Sequence, residues 1–163
     1  MIFGQYAAGS GAHGHGLCRH HAVGLAFLAT FRQHRHKIAR ALHLPLQLGE
    51  NFDGPKALLQ AIQAQACDLA MPDVARIGGV SGWMQAAGVA EAHGIPMSSH
   101  LMPEVSAHLL AATPTCHWLE YVDWTDAIAA EPVKIVDGHW PISDRPGTGL
   151  EWDAEKVARY RLD

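Results

Sequence analysis

Four ionisable side chains stand directly behind short apolar runs: Glu50 after Leu44-Pro-Leu-Gln-Leu-Gly49, Asp73 after Leu69-Ala-Met-Pro72, His100 after Ile95-Pro-Met-Ser-Ser99, and Glu120 after His117-Trp-Leu119. Histidine titrates near neutrality, with an ordinary pKa of about 6.5, so His100 is suited to accept and return a proton. A carboxylate can hold a cation, orient an imidazole or, if kept protonated, donate a hydrogen bond. Each residue also has a plainer reading. Asp73, next to Pro72, suits a helix or turn cap, His100 suits a satisfied loop histidine, and Glu50 and Glu120 suit surface acids. Their shared place at the ends of apolar runs is what favours one common site.

The elements that must position these residues alternate. Leu44 to Leu48 predicts a strand, and Asp53-Gly-Pro55 can cap and start a helix over Pro55 to Gln65 with Leu58, Leu59 and Ile62 facing inward. Leu69 to Met71 predicts a second strand, Ser81 can cap a helix over Gly82 to His93 stopped by Gly94, and Ile95 to Ser98 predicts a third strand. A helix over Pro103 to Ala112 and a strand over His117 to Glu120 follow. Strand and helix alternating at about 22 to 28 residues is the signature of parallel βα units. Strands so short and apolar are buried on both faces, as in a β/α barrel or a doubly wound sheet. Charged residues recurring at strand C-terminal ends favour the barrel, where those ends converge on one mouth. Gly78-Gly79 is a weak phosphate signal and suits a turn before the Ser81 helix better. Beyond Glu120 the sequence predicts a hairpin over Val133 to Ile142 turning at Asp137-Gly138, a loop over Pro146 to Gly149 and a closing helix over Asp153 to Tyr160 capped by Asp153.

The 163 residues suffice for one domain with a sizeable core, and 48% hydrophobic with 17% charged residues fits a soluble globular protein. A net charge of -4 offers no basic face for nucleic acid, and no apolar run approaches the roughly 20 residues of a membrane span. Cys18, Cys67 and Cys116 are odd in number and lack a Cys-x-x-Cys pattern, which argues against a disulfide framework and for a reducing, cytoplasmic setting. All sixteen acids lie from Glu50 onward, whereas seven of the twelve histidines precede it. Gly9 to Gly16 suits a flexible loop, Val23 to Phe31 a buried helix or strand, and His34 to Leu42 a helix. The early histidines suit a poorly ordered segment better than a metal site, since no His-x-x-x-His pair occurs among them.

Three longer segments are specific enough to compare with a family. Leu69-Ala-Met-Pro-Asp-Val-Ala-Arg-Ile-Gly-Gly-Val-Ser-Gly-Trp83, Gly94-Ile-Pro-Met-Ser-Ser-His-Leu101 and Ser106-Ala-His-Leu-Leu-Ala-Ala-Thr-Pro-Thr-Cys-His-Trp-Leu-Glu120 resemble the C-terminal half of the barrel domain in the mandelate racemase and muconate lactonizing family of the enolase superfamily. The resemblance is nearest to its mandelate racemases and runs from about His34 to the C-terminus. It implies an α/β fold, a partial (β/α)8 barrel of C-terminal strands and helices. It also implies a set of roles: Glu50 as one of three Mg2+ carboxylates, His100 as a general base on one face of the substrate, Asp73 as its carboxylate partner, and Glu120 as hydrogen-bond donor to the substrate carboxylate. His93, His108, His117 and His139 carry no such implication, and Arg76 is given no chemical role. The implied reaction removes the proton alpha to the carboxylate of a small 2-hydroxy acid, with a Mg2+-stabilised enediolate leading to racemisation or dehydration.

The chain also departs from the family pattern. The fourth-strand glutamate is expected near Gly24, where Val23-Gly-Leu-Ala-Phe-Leu28 stands, so two metal carboxylates are missing, as are the Lys-x-Lys base motif and the capping domain. A whole barrel takes about 250 residues. Residues 1 to 33 are therefore expected to be foreign to the family, from a shifted reading frame or misassigned start, with residues 34 to 163 forming the half barrel and its tail. An open half barrel exposes strand edges and apolar faces, which predicts self-association or a homo-oligomer. The alternative to a proton-abstracting enzyme is an inactive remnant that serves only for association.

Overall fold

The structure, a computed structural model, describes residues 44–162. The expectations for Gly9 to Gly16, Val23 to Phe31 and His34 to Leu42 lie outside that range. Its centre is a row of short parallel strand segments in chain order. Strand β1 (Gln47–Leu48) pairs with β2 (Leu69–Ala70) in the register Gln47 to Leu69 and Leu48 to Ala70. Ala70 bridges in parallel to Met97, and Met97 to Cys116, which adds the third and fourth segments. Each segment neighbours the next in sequence, with no reversal of order. That is how a barrel is laid down, whereas a doubly wound sheet reverses at a switch point. Ala70, Met97 and Ser98 are almost wholly buried, as expected of strands covered on both faces.

Three helices cover the row: α1 (Pro55–Gln63), α2 (Gly79–His93) and α3 (Pro103–Ala111). Leu58 and Ala61 of α1 meet Trp83, Ala86, Ala87 and Ala90 of α2 in one core with Ile77, Met97, Leu109 and Leu110. Leu59 and Ile62, expected to face inward, are only half-buried. Trp83 is fully buried, and its indole N–H donates to Thr113 Oγ1 at 3.0 Å. The Thr113 hydroxyl in turn donates to Leu109 O at 2.8 Å, so no polar atom of this contact is left unpaired.

The helix starts differ from the sequence expectation. α1 begins after Gly54, with Pro55 supplying its fixed φ at the first turn, and makes no side-chain cap through Asp53. Ser81 does not cap α2 but lies inside its first turn, because Gly78 at φ 105° and Gly79 at φ 66° turn the chain straight out of the preceding loop. Gly94, left-handed at φ 63°, ends α2 as predicted. The fourth strand segment pairs from Cys116, one residue before the expected start.

The C-terminal tail keeps the predicted turn and closing helix, but the hairpin expected over Val133 to Ile142 is reduced to the single bridge between Val136 and His139. Val136 and His139 exchange backbone hydrogen bonds around Asp137-Gly138, both with positive φ, as a two-residue hairpin turn requires. The closing helix α4 (Ala154–Ala158) is capped by Asp153, whose carboxylate accepts from the N–H groups of Glu155 and Lys156. The bond from Lys156 N–H, aided by that from Glu155, holds the Asp153 carboxyl below its usual range. Among the described residues no helix is long and apolar enough to cross a membrane.

Candidate active site

The four candidate residues leave four successive strand segments at the same end of the row. Glu50 follows Gly49, which has φ 146° and leaves no room for a side chain: a Cβ there would lie 2.9 Å from Met71 N. This close approach seats the exit of β1 on the exit of β2. Asp73 and His100 face each other as a parallel bridge, with His100 N donating to Pro72 O at 3.2 Å.

His100 is the centre. Its Nδ1 lies 3.2 Å from Asp73 Oδ2, and its Nε2 lies 3.5 Å from Glu50 Oε2. The three side chains differ in access to water: Asp73 is 8% exposed, His100 20% and Glu50 57%. Asp73 is thus a fixed partner beneath the imidazole, whereas Glu50 stands at the open rim and takes a further bond from Asn51 Nδ2 at 3.1 Å. Asp73 also caps the turn that follows it, its Oδ1 accepting from Ala75 N at 2.7 Å and Arg76 N at 3.3 Å. The cap reading and the partner reading both hold, one for each oxygen.

Glu120 does not touch the imidazole. Its Oε2 accepts from Leu101 N at 2.6 Å, and its own N–H donates to Ser99 Oγ at 2.9 Å. Ser99 and its neighbour Ser98 were not singled out by sequence reasoning, yet both are about 1% exposed and join the third strand segment to the fourth. Ser98 Oγ accepts from Trp118 N at 3.3 Å and meets His117 Nδ1 at 3.2 Å. The only sequence signal was a pair of serines inside an otherwise apolar strand, where a buried hydroxyl needs a partner. His93 and His139 pair with nearby backbone carbonyls and His108 with Thr148 O, so none of these histidines joins the site. Arg76 is exposed beside it and contributes its backbone N–H alone.

A buried carboxylate on Nδ1 favours the tautomer with its proton on that nitrogen, while Nε2 faces the Glu50 carboxylate at the rim. The arrangement is that of an imidazole held between two carboxylates at the C-terminal end of a partial parallel β/α barrel.

Comparison with known proteins places the chain in a family. Residues 25–157 match the family model described as enolase C-terminal domain-like, and the chain belongs to that family, within the enolase superfamily of mandelate racemases and muconate lactonizing enzymes. It is 35% identical over 114 residues to the L-talarate/galactarate dehydratase of Salmonella typhimurium, covering 70% of this chain and 29% of that protein. It is 33% identical over 115 residues to the 3,6-anhydro-alpha-L-galactonate cycloisomerase of Streptomyces coelicolor, covering 70% and 32%. Among solved structures, an enolase from alpha proteobacterium BAL199 with bound Mg superposes with a TM-score of 0.75 at 55% identity, over 81% of this chain and 35% of that one. A Bradyrhizobium enolase complexed with magnesium and mandelic acid gives 0.75 at 41%, over 83% and 37%. The chain spans about a third of the length of these relatives.

Magnesium in those structures raises the question of fit here. Among the described residues no three His, Cys, Asp or Glu side chains converge to hold a metal ion. Glu50 faces His100 and Asn51 rather than a second rim carboxylate, and residues 1 to 49 contain no Asp or Glu at all. Mg2+ demands near-octahedral oxygen donors, so the donor set of the described residues does not fit it.

Proposed function

We propose that this chain carries the one-face proton-transfer half of an enolase-superfamily site, acting at the carbon alpha to a carboxylate of a small 2-hydroxy acid or sugar acid. The observation that carries the reading is the buried Asp73 against Nδ1 of His100, with Nε2 directed to the rim. His100 would take the alpha proton on Nε2 while Asp73 stabilises the imidazolium, and returning that proton to the same face would give exchange without inversion. The family relationship supports the reaction class, and the relatives' names, which include talarate and galactarate dehydratase, support acid sugars beside mandelate as substrates. Enediolate charge would be stabilised by Mg2+ only if donors beyond the described residues complete a site at Glu50. Glu120 is proposed to hydrogen-bond the substrate carboxylate. A cytoplasmic setting belongs to the same proposal, as does a foreign origin for residues 1 to 24, because residues 25 to 33 of the segment expected to be foreign fall inside the family match.

The test is exchange of the alpha proton of mandelate and of galactarate in deuterated water, followed by NMR with Mg2+ supplied. Exchange that His100→Asn abolishes supports the reading. A second reading, an association module without catalysis, is favoured by the incomplete metal donor set. No exchange together with no Mg2+ heat in calorimetry would establish it over the first.

A further inference from the structure

The turn after His100 is an unusual piece of backbone. Leu101 at φ 53° and Met102 at φ 48° are consecutive left-handed residues, and neither is glycine. A Cβ is sterically disfavoured in this region, so such a turn persists only where its surroundings hold it. Two side chains do so: Glu120 Oε2 accepts the Leu101 N–H at 2.6 Å, and the Ser106 hydroxyl donates to Leu101 O at 2.9 Å. On the other side of His100, Ser99 Oγ accepts the Glu120 N–H at 2.9 Å and Ser99 N donates to Trp118 O at 3.0 Å. Glu120 thus grips both residues that flank His100, one through its backbone and one through its side chain.

We propose that Glu120 is a positioning residue for His100: by accepting the Leu101 N–H it holds the left-handed turn that aims the imidazole across to Asp73. The role is separate from any hydrogen bond that Glu120 gives to a ligand, though its catalytic consequence rests on the function proposed above. Because Oε2 is committed as an acceptor to the Leu101 N–H, protonation of this carboxyl places the proton on Oε1. Only that oxygen is then left to donate into the mouth. One side chain therefore links the geometry of the base to the orientation of the acid.

Two mild substitutions in the full chain separate the roles. Glu120→Gln keeps an amide oxygen within reach of Leu101 N but removes the acid, whereas Glu120→Asp keeps the acid and withdraws it by one methylene. Amide hydrogen exchange read residue by residue gives the answer without any need for activity. Positioning predicts that Leu101 exchanges at least about tenfold faster in Glu120→Asp and within about threefold of the parent in Glu120→Gln. The amides of Ala70 and Ser98, bonded within the strand row, should be unchanged in both. The side-chain resonances of His100 should broaden or shift in the Asp variant alone. Equal Leu101 protection in the two variants would overturn the proposal, as would a loss shared by Ala70 and Ser98, which would mark a general structural role. Failure of the parent chain to exchange substrate protons would overturn the function proposed above while leaving this amide result standing.

Discussion

Asp73 divides its two oxygens between two partners, Oδ1 on the turn N–H groups of Ala75 and Arg76 and Oδ2 on the imidazole of His100. That division can be tested at the single residue. Asp73→Asn keeps an oxygen for the turn but presents an uncharged group to Nδ1, losing both the fixed tautomer and the stabilised imidazolium. We expect proton exchange to fall by about 100-fold or more while the urea midpoint hardly moves. Asp73→Ala should lose the same activity and in addition about 1 kcal/mol of stability, the worth of a missing cap. Equal urea midpoints for the two variants would show that the cap contributes nothing.

At the level of elements, the site depends on helices that hold the strand exits in place from behind. α2 is anchored by Trp83, whose buried N–H has Thr113 Oγ1 as its acceptor just beyond the end of α3. Thr113→Val preserves shape but strands that N–H. The expected cost is about 1–3 kcal/mol in chemical unfolding. Trp83→Phe with Thr113→Val removes both partners, so the pair should cost less than the sum of the single changes. Additive losses would mean that the hydrogen bond does not couple the two helices. The positions of these helices follow the sequence well, since Pro55, Pro103 and Gly94 mark boundaries by backbone restriction alone. The failed cap expectations at Asp53 and Ser81 share a cause. A neighbouring glycine in a positive-φ conformation had already turned the chain, and hydroxyl and carboxyl propensities cannot register that.

At the scale of the whole molecule, the described residues leave large apolar side chains in water: Trp118 and Trp124 are each 68% exposed and Trp152 is 53% exposed. We propose that these exposed aromatics let the chain self-associate. Sedimentation velocity across a concentration series should show oligomers growing with concentration, and a single concentration-independent monomer would contradict this. Association of this kind says nothing about catalysis, so it leaves both readings of function open to the exchange experiment.

By itself the sequence determined the alternation of strand and helix, the barrel class, the family and the four residues placed at strand ends. Periodicity, proline and glycine restrictions and long matching segments are all carried by the order of residues along the chain. Only the tertiary structure decided how those four residues divide. Asp73 and Glu50 meet opposite nitrogens of His100, while Glu120 reaches the backbone behind it. Such pairings join residues 19, 27 and 50 positions apart through side-chain atoms. They depend on rotamers and strand stagger at the level of an ångström. The grip of Glu120 and Ser106 on the left-handed turn at Leu101 and Met102 had no sequence signature, because nothing in a leucine or a methionine announces a positive φ.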